Sequence, residues 1–149
     1  RKIKKHKLDR ENRLAIFILL MNGNRIIMSN LMTLTEKNFK TTIEENDFVI
    51  VDFWATWCKP CLAFTPIFEA AAKKNKDIIF GMVDIDKDKI IADYFDLEEV
   101  PSVLFVRDRA GIHAQSGELG APAFDEIIKW AREYDMREVK KYLKDNEKK

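Results

Sequence analysis

The chain has 149 residues, 46% of them hydrophobic, and its 26 basic and 25 acidic side chains leave a formal net charge of +1 at pH 7. This length suits one compact domain with additional residues at its ends. Because a nucleic-acid-binding surface needs a clear excess of Lys and Arg, the balanced charge gives no reason to expect a nucleic acid as partner.

The N-terminal residues 1–28 form an extension with two unlike parts. Residues 1–13 are strongly basic, and residues 14–21 are a short apolar run, LAIFILLM. Secretory signals have this order, but no small-residue cleavage site follows the run, which is also far too short to span a bilayer. We therefore expect a dispensable or poorly ordered extension. The alternatives are an extra packed strand or helix, and a degenerate export signal or anchor.

The first elements predicted after the extension are a helix and a strand. Thr35 and the two charged residues after it are typical of a helix cap, with Phe39 and Ile43 on one face of the helix. Residues 48–55, FVIVDFWA, are nearly all apolar and rich in β-branched and aromatic side chains. This composition predicts a strand that is buried on both faces.

The remainder of the chain alternates between helix and strand patterns. A helix is predicted from Cys58 to about Lys74, with Pro66 inside it. The later predicted elements are a strand over 78–83, a short helix over 89–94, a strand over 102–106, a turn over 108–111, a weaker strand over 112–116, a helix opening near Pro122, and a helical segment through Met136, Val139 and Leu143. Alternating strands and helices predict an α/β fold with a central sheet.

The only two cysteines of the chain are Cys58 and Cys61. The disulfide framework of a small secreted domain would need more cysteines, spread along the chain. A closed zinc site needs more N and S ligands than this pair supplies, and both histidines lie far away in sequence. We therefore predict redox chemistry for the pair and expect no metal site.

The pair lies where the predicted buried strand gives way to a helix, and this position favours a reactive thiolate. The helix dipole and the unpaired N–H groups of the first turn stabilise a negative charge on Cys58, which is therefore the predicted nucleophile. Cys61, one turn further along, is expected to be more buried and to release the reduced client from a mixed disulfide. Pro60 stiffens the loop between them.

Two charged residues near the pair each allow two interpretations. Lys59 either favours the Cys58 thiolate, which would make the couple more oxidising, or is a solvated lysine with little effect. Asp52 lies within the apolar strand. It is either a buried carboxyl of raised pKa that exchanges protons with Cys61, or a strand-end carboxylate paired with a surface cation.

Residues 51–61, VDFWATWCKPC, resemble the active-site segment of the thioredoxin family. Residues 100–102, VPS, are similar to the loop whose proline is cis in that family, while Pro66 and Gly117 match a helix proline and a glycine near the substrate groove. The resemblance covers most of the chain and implies a thioredoxin fold, with a central mixed β-sheet flanked by helices on both faces.

The same resemblance implies a division of the chain into three parts. We expect the N-terminal extension over residues 1–28, a thioredoxin domain over residues 29–134, and a C-terminal helical extension with a charged tail over residues 135–149.

The resemblance also implies roles around the cysteines. Pro101 would be cis and face them, and Val100 would offer its N–H and C=O to an extended client peptide. The alternatives are an ordinary trans proline and, for Trp57, a partly buried core tryptophan. The implied client-binding residues are Trp57, Lys59, Pro60, Val100, Pro101 and Gly117.

Three positions depart from the family pattern. Met82 stands where many members have a lysine near the buried aspartate, so the pKa of Asp52 is expected to rise further. Lys59 replaces the usual glycine of the motif, and the turn glycine of the last hairpin is shifted to Gly111.

The predicted function is that of a protein-disulfide reductase. The resemblance implies no bound cofactor, and electrons that come from NADPH through a flavoprotein similar to thioredoxin reductase. We expect a cytoplasmic monomer without stable membrane insertion, because no convincing export signal or structural cysteine is present. The alternatives are an exported protein of disulfide quality control, and a binding module or co-chaperone whose C-terminal helix is the partner surface. A metal-binding use of the cysteine pair is a minor further alternative.

Overall fold

The computed structural model describes residues 29–147, and the predicted extension over residues 1–28 lies outside the described residues. The described elements, in chain order, are β1 (Leu31–Thr33), α1 (Phe39–Glu45), β2 (Phe48–Trp54), α2 (Lys59–Lys74), β3 (Ile79–Asp84), α3 (Lys89–Tyr94), β4 (Ser102–Arg107), β5 (Ala110–Ser116), α4 (Ala121–Glu133) and α5 (Arg137–Asn146). None of the helices in this part of the chain has the length and apolar character needed to cross a membrane.

The five strands form one sheet in the order β1-β3-β2-β4-β5. Strands β1, β3 and β2 run parallel, while β4 is antiparallel to β2 and β5 is antiparallel to β4. Central β2 is buried along nearly its whole length because it has a strand on each side and helices on both faces. The predicted α/β class with a mixed central sheet is confirmed.

Each face of the sheet has its own hydrophobic core. Since side chains alternate along a strand, Ile50 of β2 points toward the core built with α2 and α4, whereas Val49 and Val51 point toward the core built with α1 and α3. Asp52 is on the same face as Ile50 by this alternation. The carboxyl end of β2 leads directly into α2, and this junction positions the cysteines.

The first helix begins later than its sequence predicts. Thr35 was the predicted cap, but α1 starts at Phe39 after a turn. The Thr35 carbonyl accepts the N–H groups of Asn38 and Phe39, and the Asn38 side chain accepts the Thr35 N–H at 2.7 Å. Thr35 and Asn38 therefore form hydrogen bonds with each other across a turn. Because these bonds hold the chain in a turn, the helix begins only after Asn38.

The turn between β4 and β5 is also shorter than predicted. The sequence predicts a turn over 108–111 that uses Gly111, but β5 already begins at Ala110, so Gly111 lies within the strand. Asp108 and Arg109 make the turn with φ angles of 48° and 70°. Two adjacent positive φ angles are typical of the tight hairpin turn whose twist matches that of its strands.

The C-terminal end of α4 is fixed by a side chain from β4. The guanidinium of Arg107 donates hydrogen bonds to the carbonyl groups of Ala131, Arg132 and Tyr134, at 3.0, 3.0 and 3.2 Å. These carbonyls have no partner inside the helix, because a helix leaves its last C=O groups free. Arg107 thereby sets the point where the chain leaves α4.

The last helix, α5, confirms the helical segment predicted near the C-terminus. None of its own residues is buried, although Met136 just before it is 6% exposed. Two surface ion pairs join the helix and the residue after it to the turn between β4 and β5: Lys140 with Asp108 at 3.5 Å, and Glu147 with Arg109 at 2.9 Å. Val139 and Leu143 are its only half-buried residues, so this helix lies on the surface of the molecule through two apolar side chains and the two ion pairs.

Candidate active site

Cys58 and Cys61 form a disulfide at the start of α2, with their Cα atoms 5.2 Å apart. Cys58 occupies the N-cap position, and its Sγ accepts the backbone N–H of Cys61 at 3.2 Å. Pro60 lies in the first turn, where the missing N–H of proline costs no helical hydrogen bond. The donor that the helix start presents to the sulfur would stabilise a thiolate there once the disulfide is opened.

The two cysteines differ in their access to solvent. Cys58 retains 4% of its surface and Cys61 none, so the prediction that the second cysteine is more buried is confirmed. The Sγ of Cys58 lies 3.6 Å from the carbonyl oxygen of Val100. An incoming sulfur therefore reaches the disulfide from the Cys58 side, next to that carbonyl.

The loop before β4 and the end of β5 meet beside the disulfide. The Val100–Pro101 peptide bond is cis, as predicted. The carbonyl of Pro101 accepts the N–H of Gly117 at 2.9 Å, which joins the two segments. Gly117 has a φ of +90°, and a Cβ placed on it would meet no heavy atom within 4 Å. The surface beside Val100 is therefore open to solvent and lacks side-chain cover at Gly117.

Trp57 lies on the surface and not in the core. It is 66% exposed, and its Nε1–H donates to the carboxylate of Asp86 at 2.9 Å. The alternative of a partly buried core tryptophan is therefore wrong. Asp86 was missed by the sequence analysis, because the hydrogen bond joins positions that are far apart along the chain.

The loop after β3 contributes a second residue that the sequence analysis missed. Ile85 packs against the core formed by Ala55, Cys58 and Cys61, and its N–H donates to the carbonyl of Trp54 at 3.0 Å. The sequence carried one usable signal for this loop. Parallel strands β2 and β3 end at the same edge of the sheet, so the residues that follow them come close together.

Lys59 is exposed at the first position of α2, which brings a cation next to Cys58 in the chain. Among residues 29–147, no group of three or more His, Cys, Asp and Glu side chains is arranged to hold a metal ion. The chemistry that the described residues support at this place is therefore that of the two sulfur atoms.

Asp52 is fully buried in β2, the strand that leads into the helix of the cysteines. Both of its carboxylate oxygens lack a hydrogen-bond partner among residues 29–147, and burial raises the pKa of Asp52 to about 7. Its cross-strand neighbours are Met82 and Val103, which offer no charge. The alternative of a strand-end carboxylate paired with a surface cation is therefore wrong.

The family model for thioredoxin matches residues 30–133. The chain belongs to the thioredoxin family. A putative thioredoxin 2 from Streptomyces coelicolor is 40% identical over 114 residues, which cover 76% of this chain and 85% of that relative. A thioredoxin from Mycoplasmoides gallisepticum is 33% identical over 87 residues, which cover 58% of this chain and 87% of that relative.

Solved thioredoxin structures share the fold. A mutant thioredoxin from Halobacterium salinarum aligns with a TM-score of 0.66 at 22% identity, over 72% of this chain and 96% of that one. The oxidised form of mitochondrial thioredoxin 3 from Saccharomyces cerevisiae aligns with a TM-score of 0.62 at 28% identity, over 66% and 93%. The predicted thioredoxin fold is therefore confirmed.

Membership of the thioredoxin family and the disulfide at the start of α2 together identify the activity. This chain is a thiol–disulfide oxidoreductase whose redox-active group is the Cys58–Cys61 pair. The pair closes a short ring within one helical turn, so opening and closing it requires little movement of the backbone.

Proposed function

We propose that this chain reduces disulfide bonds of client proteins, with Cys58 as the attacking thiol and Cys61 as the resolving thiol. The observation that carries the proposal is the position of the disulfide at the helix start. There, Cys58 alone keeps some exposure and accepts a backbone N–H. The reverse assignment has no support, since Cys61 is fully buried.

The exchange then proceeds in two balanced steps. The Cys58 thiolate attacks one sulfur of the client disulfide, a mixed disulfide forms, and the other client sulfur leaves as a thiolate. The Cys61 thiol loses its proton and attacks the Sγ of Cys58, which restores the Cys58–Cys61 disulfide and releases the second client thiolate. The client gains two electrons, and the chain loses two.

Asp52 accepts the proton that Cys61 must lose in the second step, either directly or through a water molecule. Three observations support this role: the carboxyl lies on the sheet face covered by α2, it has no competing hydrogen-bond partner among the described residues, and its pKa is raised to about 7. A group of that pKa exchanges protons efficiently at neutral pH. If turnover of Asp52→Asn at pH 7 equals that of the wild type, this role is wrong.

The client peptide binds in an extended conformation beside the disulfide. Its backbone pairs with the N–H and C=O of Val100, as a strand added to a sheet edge does. The open surface at Gly117 and the exposed Trp57 support this position. The remaining contacts come from Lys59, Pro60 and Pro101.

The electrons are supplied by NADPH through a flavoprotein of the thioredoxin-reductase type, in the cytoplasm. This part of the proposal follows from family membership and from the thioredoxins among the relatives. With this electron source, the chain acts as a reductant of client disulfides.

Insulin reduction coupled to NADPH oxidation by a thioredoxin reductase tests the function. We expect the wild type to reduce insulin and Cys58→Ser to have no activity, because the attacking sulfur is missing. Activity that survives in Cys58→Ser would favour a binding module or co-chaperone.

A redox titration of the Cys58–Cys61 pair against glutathione tests the direction of electron flow. A potential near the cytosolic poise or below it supports a reductant, and a strongly oxidising potential supports an exported protein of disulfide quality control. Lys59→Gly in the same titration tests the effect of the cation. We expect the Lys59 ammonium to raise the reduction potential modestly, so the potential of Lys59→Gly should be lower than that of the wild type.

A further inference from the structure

The indole of Trp57 is a large apolar surface that the fold leaves exposed next to the disulfide. Exposed side chains ordinarily change rotamer on a picosecond-to-nanosecond timescale. This one is tied by the hydrogen bond from its Nε1–H to Asp86, which comes from a different loop. The bond therefore restricts the indole to one position on the rim of the client-binding surface.

Asp86 is itself held in place. The buried carboxylate of Asp84, which is 6% exposed, accepts the N–H groups of Asp86 and Lys87 at 2.9 and 3.3 Å. The N–H of Ile85 donates to the carbonyl of Trp54 at the end of β2. The loop that carries Asp86 is thus held in place by Asp84, at the end of β3, and by the end of β2.

We propose that Asp86 is a positioning residue that holds the Trp57 indole as a fixed wall of the client-binding surface. Tryptophan is among the residues that contribute most to protein interfaces, and a side chain already ordered before binding avoids an entropy loss on binding. Asp86 contacts neither sulfur, so it acts on client affinity and not on the exchange itself. The inference rests on the proposed function, because it requires a protein client.

Two substitutions of Asp86 separate its hydrogen bond from its charge. Asp86→Ala removes both, whereas Asp86→Asn keeps a side-chain oxygen that accepts the indole N–H. We expect Asp86→Ala to raise KM for insulin by about fivefold with kcat unchanged. We expect Asp86→Asn to stay close to the wild type. Reduction of a small aromatic disulfide should be equal in all three proteins, because it does not need the wall.

The mobility of the indole provides a spectroscopic measurement. In a background with Trp54→Phe and Trp130→Phe, Trp57 is the only tryptophan of the chain. Time-resolved fluorescence anisotropy should show faster local motion of Trp57 in Asp86→Ala, and wild-type motion in Asp86→Asn. Asp93→Ala is the matched control, since Asp93 is an exposed acid of α3 whose carboxylate makes no hydrogen bond among the described residues.

The inference is overturned if Asp86→Ala keeps the wild-type KM and anisotropy. It is equally overturned if Asp86→Asn is as impaired as Asp86→Ala, because the negative charge would then be what matters to the client. Failure of the proposed function would look different: the wild type itself would not reduce insulin.

Discussion

Asp52 lies within β2 with both carboxylate oxygens unpaired among the described residues. Its pKa is 3.8 in an ordinary setting and about 7 in the folded state. Between these values the folded state keeps a proton that the unfolded state has lost, so the stability that this group contributes is fully present below pH 3.8 and is lost as pH rises to about 7. The whole effect is on the order of 4 kcal/mol.

Urea unfolding of oxidised wild type and Asp52→Asn, at pH 5 and pH 8.5, tests this dependence. We expect the wild type to lose about 3 kcal/mol of unfolding free energy relative to the variant between these pH values. The control Asp93→Asn should follow the wild type. A constant difference between wild type and Asp52→Asn at both pH values would show that the carboxyl does not titrate in this range.

Met82 is the cross-strand neighbour of Asp52 on β3 and gives it no opposite charge. In Met82→Lys, an ammonium group close to the carboxyl should lower the pKa of Asp52, because an opposite charge favours the ionised form. A titration of the Asp52 carboxyl by NMR measures this directly, and the midpoint should move below 7. Met82→Leu, which adds no charge, should leave the midpoint unchanged, and an equal shift in both variants would contradict the electrostatic explanation.

The sequence identified the cysteine pair and the buried aspartate, but not the contacts that surround them. Cys58 and Cys61 are recognisable from their spacing, and Asp52 from a charged residue within an apolar strand. Asp86 was not predicted, because its partner Trp57 lies 29 positions away and the pairing of β2 with β3 brings them together. The strand order can bring the two loops close, but local patterns do not identify which of their residues form a hydrogen bond.

Among the elements, the end of α4 depends on one guanidinium. Arg107→Met keeps most of the aliphatic side chain but leaves three carbonyl groups without their donor. We expect the unfolding free energy to fall by about 2 kcal/mol, the range for lost hydrogen bonds to a charged group. Insulin reduction should be unaffected below the unfolding transition. Thermal and urea unfolding measure the change.

Arg109→Met is the matched control for this prediction. Arg109 makes a surface ion pair with Glu147, both more than half exposed, and such pairs contribute little to stability. A fall in unfolding free energy as large as that of Arg107→Met would mean that charge in general, and not the end of α4, explains the effect.

Element boundaries were predictable where a strong local signal marks them. The helix α3 was predicted over 89–94 and is observed over Lys89–Tyr94, and α2 begins directly after the cysteine that caps it. The start of α1 was wrong, because Thr35 and Asn38 hydrogen-bond to each other. The hairpin turn was wrong, because Asp108 and Arg109 adopt the positive φ angles for which the sequence analysis looked to a glycine.

For the whole molecule, the importance of α5 for client reduction distinguishes a reductase that does not need this helix from a co-chaperone that uses it as a partner surface. Because α5 buries none of its own residues, a chain that ends after Met136 should keep its insulin reductase kcat/KM and lose only a few degrees of Tm. The full chain is the control. A large loss of client reduction with the fold intact would instead make α5 part of a partner surface, as the co-chaperone alternative requires.

The α/β class with a central sheet followed from the alternation of strand and helix patterns, and the helices on both faces followed from the resemblance to the thioredoxin family. The sheet order and the antiparallel directions of β4 and β5 did not follow from those patterns. They depend on which strand edges remain free after β2 and β3 pair, and this is a property of the assembled sheet.

The burial of Cys61 behind Cys58 offers a way to find the proposed clients. Under the proposed roles, Cys61→Ser would still form a mixed disulfide with a client through Cys58, but it would have no second thiol to break that bond. Captured proteins would accumulate as stable adducts, to be recovered by affinity purification and identified by mass spectrometry.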